Sequence, residues 1–112
     1  MKYGINKATL VGNVGDAPKV IEKNGEAFMA SFPFATSETY RDKNGEEVTT
    51  TQWHRIKVWK KKAAIVRDHV KKGDAMYIEG KINYESWENE NGKHYSTEIV
   101  CENFLFLNAK TN

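Results

Sequence analysis

The chain reads as an all-β barrel of five strands with one helix between the third and the fourth, and three observations point there. Apolar residues recur at every second position in successive stretches, as strands of a half-buried sheet require. Only residues 61–72 show the three-and-four spacing of an amphipathic helix. Two glycines, Gly12 and Gly80, stand alone inside strand patterns, where a missing side chain permits the sharp bend that curls a small sheet into a barrel.

Residues 7–14 set Ala8, Leu10, Gly12 and Val14 against Lys7, Thr9, Val11 and Asn13, which predicts the first strand. The apolar pair Val20-Ile21, a Lys23-Asn24-Gly25 turn signal and a run over 27–36 with Phe28, Ala30, Phe32 and Phe34 at period two predict a hairpin. Pro33 has no amide donor and belongs on an edge or at a bulge of that run. Residues 38–47, rich in charge around Lys43-Asn44-Gly45, read as a mobile polar loop. The third strand, 49–60, alternates Thr51, Trp53, Arg55, Lys57 and Trp59 with Gln52, His54, Ile56 and Val58. The helix over 61–72 carries Ala63, Val66 and Val70 on one face, Lys71-Lys72 in its last turn and Gly73 just past it. Strand four, 75–87, aligns Met76, Ile78, Gly80, Ile82 and Tyr84, and an Asn91-Gly92 turn leads into strand five over 95–107. This order is that of an OB-fold, one domain over 1–112 with its core at 4–107.

Composition bounds the function. At 112 residues the chain has room for a single core. Seventeen Lys and Arg against fifteen Asp and Glu give a net charge of +2, which excludes a uniformly basic coat and an acidic disordered tail, so any basic site is local. A hydrophobic fraction of 39% supports a folded core, while a mean hydropathy of -0.70 calls for much solvated surface. The longest uncharged stretch, 27–37, falls short of the roughly 20 apolar residues of a bilayer span, and the first residues lack a signal-peptide core. A cytoplasmic protein without membrane contact is expected. The single cysteine, Cys101, permits neither an internal disulfide nor a cysteine-based zinc site.

The third strand carries the main chemical signal. A face bearing Trp53, Arg55, Lys57 and Trp59 cannot be core, because burying two unpaired cations costs several kcal/mol each. Exposed indoles beside cations offer π surfaces for bases and positive charge for phosphates, which suits a single-stranded nucleic acid. The same pattern also fits one Trp folded over the barrel end while Arg55 and Lys57 reach to solvent along their aliphatic stems. Between Lys57 and Lys72 seven cations face one acid, whereas from Gly73 onward three cations face seven acids. Tyr40, Arg41 and Lys43 precede strand three, and Trp87 stands where strand four enters the last hairpin; both loops flank the cleft of an OB-fold. Either loop aromatic could instead cap the core. His54, His69 and His94 lack metal-ligand spacing, so no metal or cofactor is expected. Neither a nucleophile motif nor a phosphate-cradling glycine loop is present, and no catalysis is expected.

The strings Gly4-Ile5-Asn6-Lys7-Ala8-Thr9-Leu10-Val11-Gly12-Asn13, Ala35-Thr36-Ser37-Glu38, Tyr40-Arg41-Asp42, Trp53-His54-Arg55, Lys72-Gly73 and Tyr77-Ile78-Glu79-Gly80-Lys81-Ile82, in this order, resemble the bacterial single-stranded DNA-binding protein (SSB) family over residues 4–100. The resemblance implies an OB-fold that wraps single-stranded DNA in replication, recombination and repair. It implies base stacking on Tyr40, Trp53, Trp59 and Trp87, and phosphate contacts from Lys43, Arg55, Lys61 and Lys72. To these the residues themselves add Arg41 and Lys57 as cations beside the aromatics. It also implies a homotetramer built as a dimer of dimers, with His54 near a subunit contact and Lys7, Tyr77 and Glu79 on pairing surfaces. Glu85 and Ser86 stand where basic residues are common in the family, which weakens the last hairpin's grip. Family members usually continue into a flexible linker with an acidic tip that recruits other proteins. This chain reaches only Ala109-Lys110-Thr111-Asn112, so either it is truncated or it is a short variant without tail-mediated partners. Two other readings stay open, an OB-fold RNA binder and a module that docks on replication proteins.

Overall fold

In the computed structural model, which describes residues 3–108, the period-two stretches form strands and the three-and-four stretch forms the helix. The elements are β1 (Ala8–Val14), β2 (Lys19–Lys23), β3 (Glu26–Arg41), β4 (Glu47–Trp59), α1 (Lys60–His69), β5 (Ala75–Asn89) and β6 (Gly92–Phe106). Five strands make a ring in the order β1-β5-β6-β4-β3, closed where Asn13 and Val14 pair with Ala35 and Phe34. Neighbours run antiparallel except β4 and β6, whose parallel contact is limited to Ile56↔Ile99 and Lys57↔Val100. The expected five-stranded barrel is present, with α1 between its third and fourth strands. A sixth strand goes beyond the five that the sequence pattern predicts: β2 pairs only with β3, through a two-residue Asn24-Gly25 turn with both φ angles positive, and stays outside the ring.

Ring closure depends on the two lone glycines. At Gly12, still paired with β5 and just before β1 takes β3 as a second partner, β3 runs so close that a Cβ would stand 2.0 Å from the Ala35 carbonyl oxygen. At Gly80 the β5–β6 ladder shifts register, and a Cβ would meet the Val100 oxygen at 2.1 Å. Pro33 sits where β3 changes partner from β2 to β1. Its carbonyl accepts the Gly15 N–H at 2.8 Å, so the side without a donor faces the gap in the ladder, where none is needed.

Phe32, Phe34, Ile56, Val58, Met76 and Ile78 fill the interior, and α1 lays Ala63 and Val66 against it. The helix ends at His69, three residues earlier than its sequence signals suggest. Val70 turns to an extended conformation that buries its side chain in the core, and the Asp74 carboxylate takes the Lys71 N–H at 2.9 Å. Lys71, Lys72 and Gly73 therefore form the turn into β5. Residues 38–47 depart further from expectation. β3 and β4 stay paired out to Arg41↔Glu47, with hydroxyl bonds Ser37–Thr51 and Thr39–Thr49 at 3.1 Å each, so only Asp42 to Glu46 form a turn. Both faces of this extension are polar and solvated, so it has no hydrophobic alternation for a sequence reading to detect. It projects from the barrel as an arm, as does the β5–β6 hairpin. The radius of gyration, 16.6 Å, accordingly exceeds the roughly 13 Å of a compact chain of this length.

Candidate nucleic-acid interface

The unbroken β3–β4 register fixes which side chains share a face. Ile56 and Val58 are fully buried, so their neighbours Trp53, Arg55, Lys57 and Trp59 point outward, with Trp53 64% and Trp59 40% exposed. The Trp53 indole lies on Gly15, where a Cβ would come within 2.4 Å of the ring, so the small residue at the end of β1 provides its seat. Trp59 meets Phe28 edge to face, with centroids 5.4 Å apart. Phe28, which the sequence pattern assigns to the core alternation, is only half-buried and touches the Trp59 ring from the β3 side.

Lys57 is not a free cation. Its ammonium lies 2.9 Å from the Glu98 carboxylate on β6 and 3.5 Å from Glu85 on β5. Burial alone would lower its pKa, but the two carboxylates outweigh that and hold it above the ordinary value. Burial pushes Glu98 upward in turn, yet its bonds to Lys57 and Asn83 leave it below the ordinary carboxylate value of 4.5. The cationic stretch from Lys57 to Lys72 thus borrows acids from distant strands, which composition could not reveal. The sign of the pH effect follows from these directions. Glu98's share of stability is complete above pH 4.5 and is lost as pH falls through its depressed value. Lys57→Ala leaves the Glu98 carboxylate nearly buried without its cation. It is expected to cost about 2 kcal/mol at neutral pH. In Glu98→Gln the dependence of stability on pH below 4.5 should be shallower, and thermal melts at pH 7 and pH 3.5 check both.

Trp87 lies on the same outer alternation as Asn83 and Glu85, on the second arm. It is half exposed and stacks on His94 across the hairpin, centroids 5.5 Å apart at 21°. Tyr40 is exposed too, but its register with Val48 puts it on the opposite face of its arm from Trp53. Arg41 is on the Trp53 side and donates to the Gly45 carbonyl at 2.9 Å, while Lys43 sits exposed in the turn. Arg55, Lys61 and Lys72 are exposed on β4, on α1 and in the turn after it. Lys60, with φ of 55°, takes the left-handed conformation that swings the chain from β4 into α1. Four expected contact residues therefore lie along β4, and Tyr40, Lys43 and Lys72 lie away from that face.

Three of the four residues expected at subunit contacts, Lys7, Tyr77 and Glu79, come together where β1 begins and on the outer side of β5, whereas His54 lies apart on β4. Lys7 pairs with Glu79 at 3.4 Å, and the Tyr77 hydroxyl donates to Glu79 at 2.9 Å. Val11 and Leu105, both more than half exposed, lie beside Tyr77 in the ladder. His54 is half-buried and its Nε2 lies 2.9 Å from the Thr36 hydroxyl. Among the described residues no three His, Cys, Asp or Glu side chains gather to hold a metal, and no helix is long and apolar enough to cross a membrane. Burial pushes the Cys101 thiol up to about 11. Residues 109–112, on which the expectation about a missing recruiting tail rests, lie outside the described residues.

A five-stranded ring closed at two glycine corners, with aromatics and cations along one outer strand, defines an OB-fold binding module. Comparison with known proteins narrows this. The sequence model of the single-strand binding protein family matches residues 5–107, and the chain belongs to that family. Single-stranded DNA-binding protein 1 of Chlorobaculum tepidum is 41% identical over 112 residues, covering 98% of this chain and 69% of that protein. The single-stranded DNA-binding protein of Xylella fastidiosa is 34% identical over 113 residues, with 100% and 69% covered. Among solved structures, the Plasmodium falciparum SSB complex with ssDNA superposes with a TM-score of 0.83 at 29% identity, over 96% of this chain and 99% of the other. A deletion mutant of the Thermus aquaticus protein, at 23% identity and a TM-score of 0.79 over 98% of this chain and 54% of that one, shares the fold.

Proposed function

We propose that the chain binds single-stranded DNA without reading its sequence, as a non-enzymatic protein of replication, recombination and repair. The outward face of β4 carries the reading: two exposed indoles flank Arg55, so bases stack on the rings while the guanidinium takes a phosphate between them. Trp87, on the outer side of the second arm, extends the stacking surface, and Tyr40, Lys43, Lys61 and Lys72 meet the strand as it passes round the barrel. Lys57 contributes after a phosphate displaces Glu85, the more exposed of its two partners. The names of the relatives and the DNA-bound structural neighbour support this reading. It includes a cytoplasmic location and assembly as a homotetramer. The Lys7, Tyr77 and Glu79 patch with exposed Val11 and Leu105 offers a subunit contact, and sedimentation of the free chain tests it.

Oligo(dT) added to the chain is expected to quench its tryptophan emission. The affinity should fall with salt at about 0.7 log units per log unit of salt for each phosphate engaged. Unchanged emission on titration would sink the proposal. Competition between poly(dT) and poly(U) separates a DNA binder from an RNA binder, since π-faces alone do not distinguish the sugars.

A further inference from the structure

A groove of about 700 Å³ opens between the β2–β3 turn and the first turns of α1, outside every contact residue named above except Lys61. That volume lies within the roughly 300–1,000 Å³ of pockets that take small ligands. Phe28 forms part of its wall, with Lys23, Lys60, Lys61 and Arg67 around it, and Glu26 is its one acid. Arg67 is committed to Glu22 and Asp68, at 3.0 and 2.9 Å, so it is spoken for. Lys23, Lys60 and Lys61 make no ion pair among the described residues. In place of an anion, the Lys23 ammonium rests 4.0 Å from the centre of the Phe28 ring. The groove adjoins the aromatic row of β4, because Phe28 touches Trp59 and Lys60 follows Trp59 directly.

We infer that this groove is a nucleotide subsite continuing the single strand past Trp59: the next base lies on Phe28, and its phosphate takes Lys23 off the ring and binds Lys60. The inference rests on the reading of the β4 face as the strand's platform. Its chemistry is an exchange in which the aromatic ring gives up a cation for a base and the cation gives up a ring for a phosphate. No new charge is buried, and Glu26 sets the limit on how much anionic charge the groove accepts. The strand would then turn from the sheet onto the helix side of the barrel.

A length series of oligo(dT) tests this in the unsubstituted chain, Lys23→Gln and Phe28→Leu at two salt concentrations. The shortest strands that bind should show equal affinity for all three chains. As the strand lengthens into the groove, Phe28→Leu should fall behind by about five-fold or more, the low end for one stacked base. Lys23→Gln should show a salt slope shallower by about 0.7. Lys23→Gln keeps the test valid if Phe28→Leu also disturbs Trp59, since Lys23 stands over Phe28 and not over Trp59. A loss equal at every length would report a disturbed platform and count against the groove. Equal affinities and slopes throughout would overturn the groove while leaving the β4 platform intact, whereas failure of the unsubstituted chain to bind at all removes both.

Discussion

Gly12→Ala is expected to lower the thermal midpoint by more than about 10 °C. The new methyl group would stand 2.0 Å from a backbone oxygen of Ala35, and backbone cannot rotate away as a side chain can. Relief requires β1 and β3 to part at the point where they close the ring. The cost is about 3 kcal/mol, the upper end for overpacking, and each kcal/mol is worth roughly 4–8 °C in a domain of this size. Gly4→Ala serves as control, because nothing stands within 4 Å of the added atom. A melt of Gly12→Ala within a few degrees of the unsubstituted chain would mean that the seam is looser than described.

Replacing Trp53 and Trp59 together by alanine is expected to remove most of the binding while leaving the barrel folded. Two stacked bases contribute about 2–6 kcal/mol, so the dissociation constant for oligo(dT) should rise about 30-fold or more. Both rings are well exposed and the interior beneath them is filled by Ile56 and Val58, so the melt should change little. Gly15→Ala reaches the same end indirectly. Its methyl group would occupy the seat of the Trp53 indole, within 2.4 Å of the ring, and tilt the platform without deleting it. Binding should fall less than in Trp53→Ala, with the emission spectrum shifted before any DNA is added.

What could be read in advance followed the range of the forces involved. The β4 face was legible because alternation is local: two buried aliphatics settle where their neighbours point. Gly12 and Gly80 were legible for a similar reason, since an isolated glycine in a strand has few other uses. The arm over 38–47 was not, because hydroxyl pairs and backbone bonds between two solvated faces leave no hydrophobic signature. Lys57 looked free in the sequence, and only the parallel contact of β4 with β6 brings Glu98 to it. Tyr40 stands in the expected segment but on the face of its arm opposite Trp53, which depends on the hairpin register and not on residue type. The period of two runs through Phe28 and so reads it as core; the end of a strand, where burial fades, is where that pattern says least.

The parallel seam between β4 and β6 spans only two residue pairs, yet the ring is open until it forms. Its partners are far apart along the chain, so a nascent polypeptide must wait for its last strand before β4 finds a neighbour on that side. Folding governed by such distant contacts runs on the millisecond-to-second scale. During that interval the edge richest in tryptophan is exposed to other chains, which makes slow closure a moment of aggregation hazard.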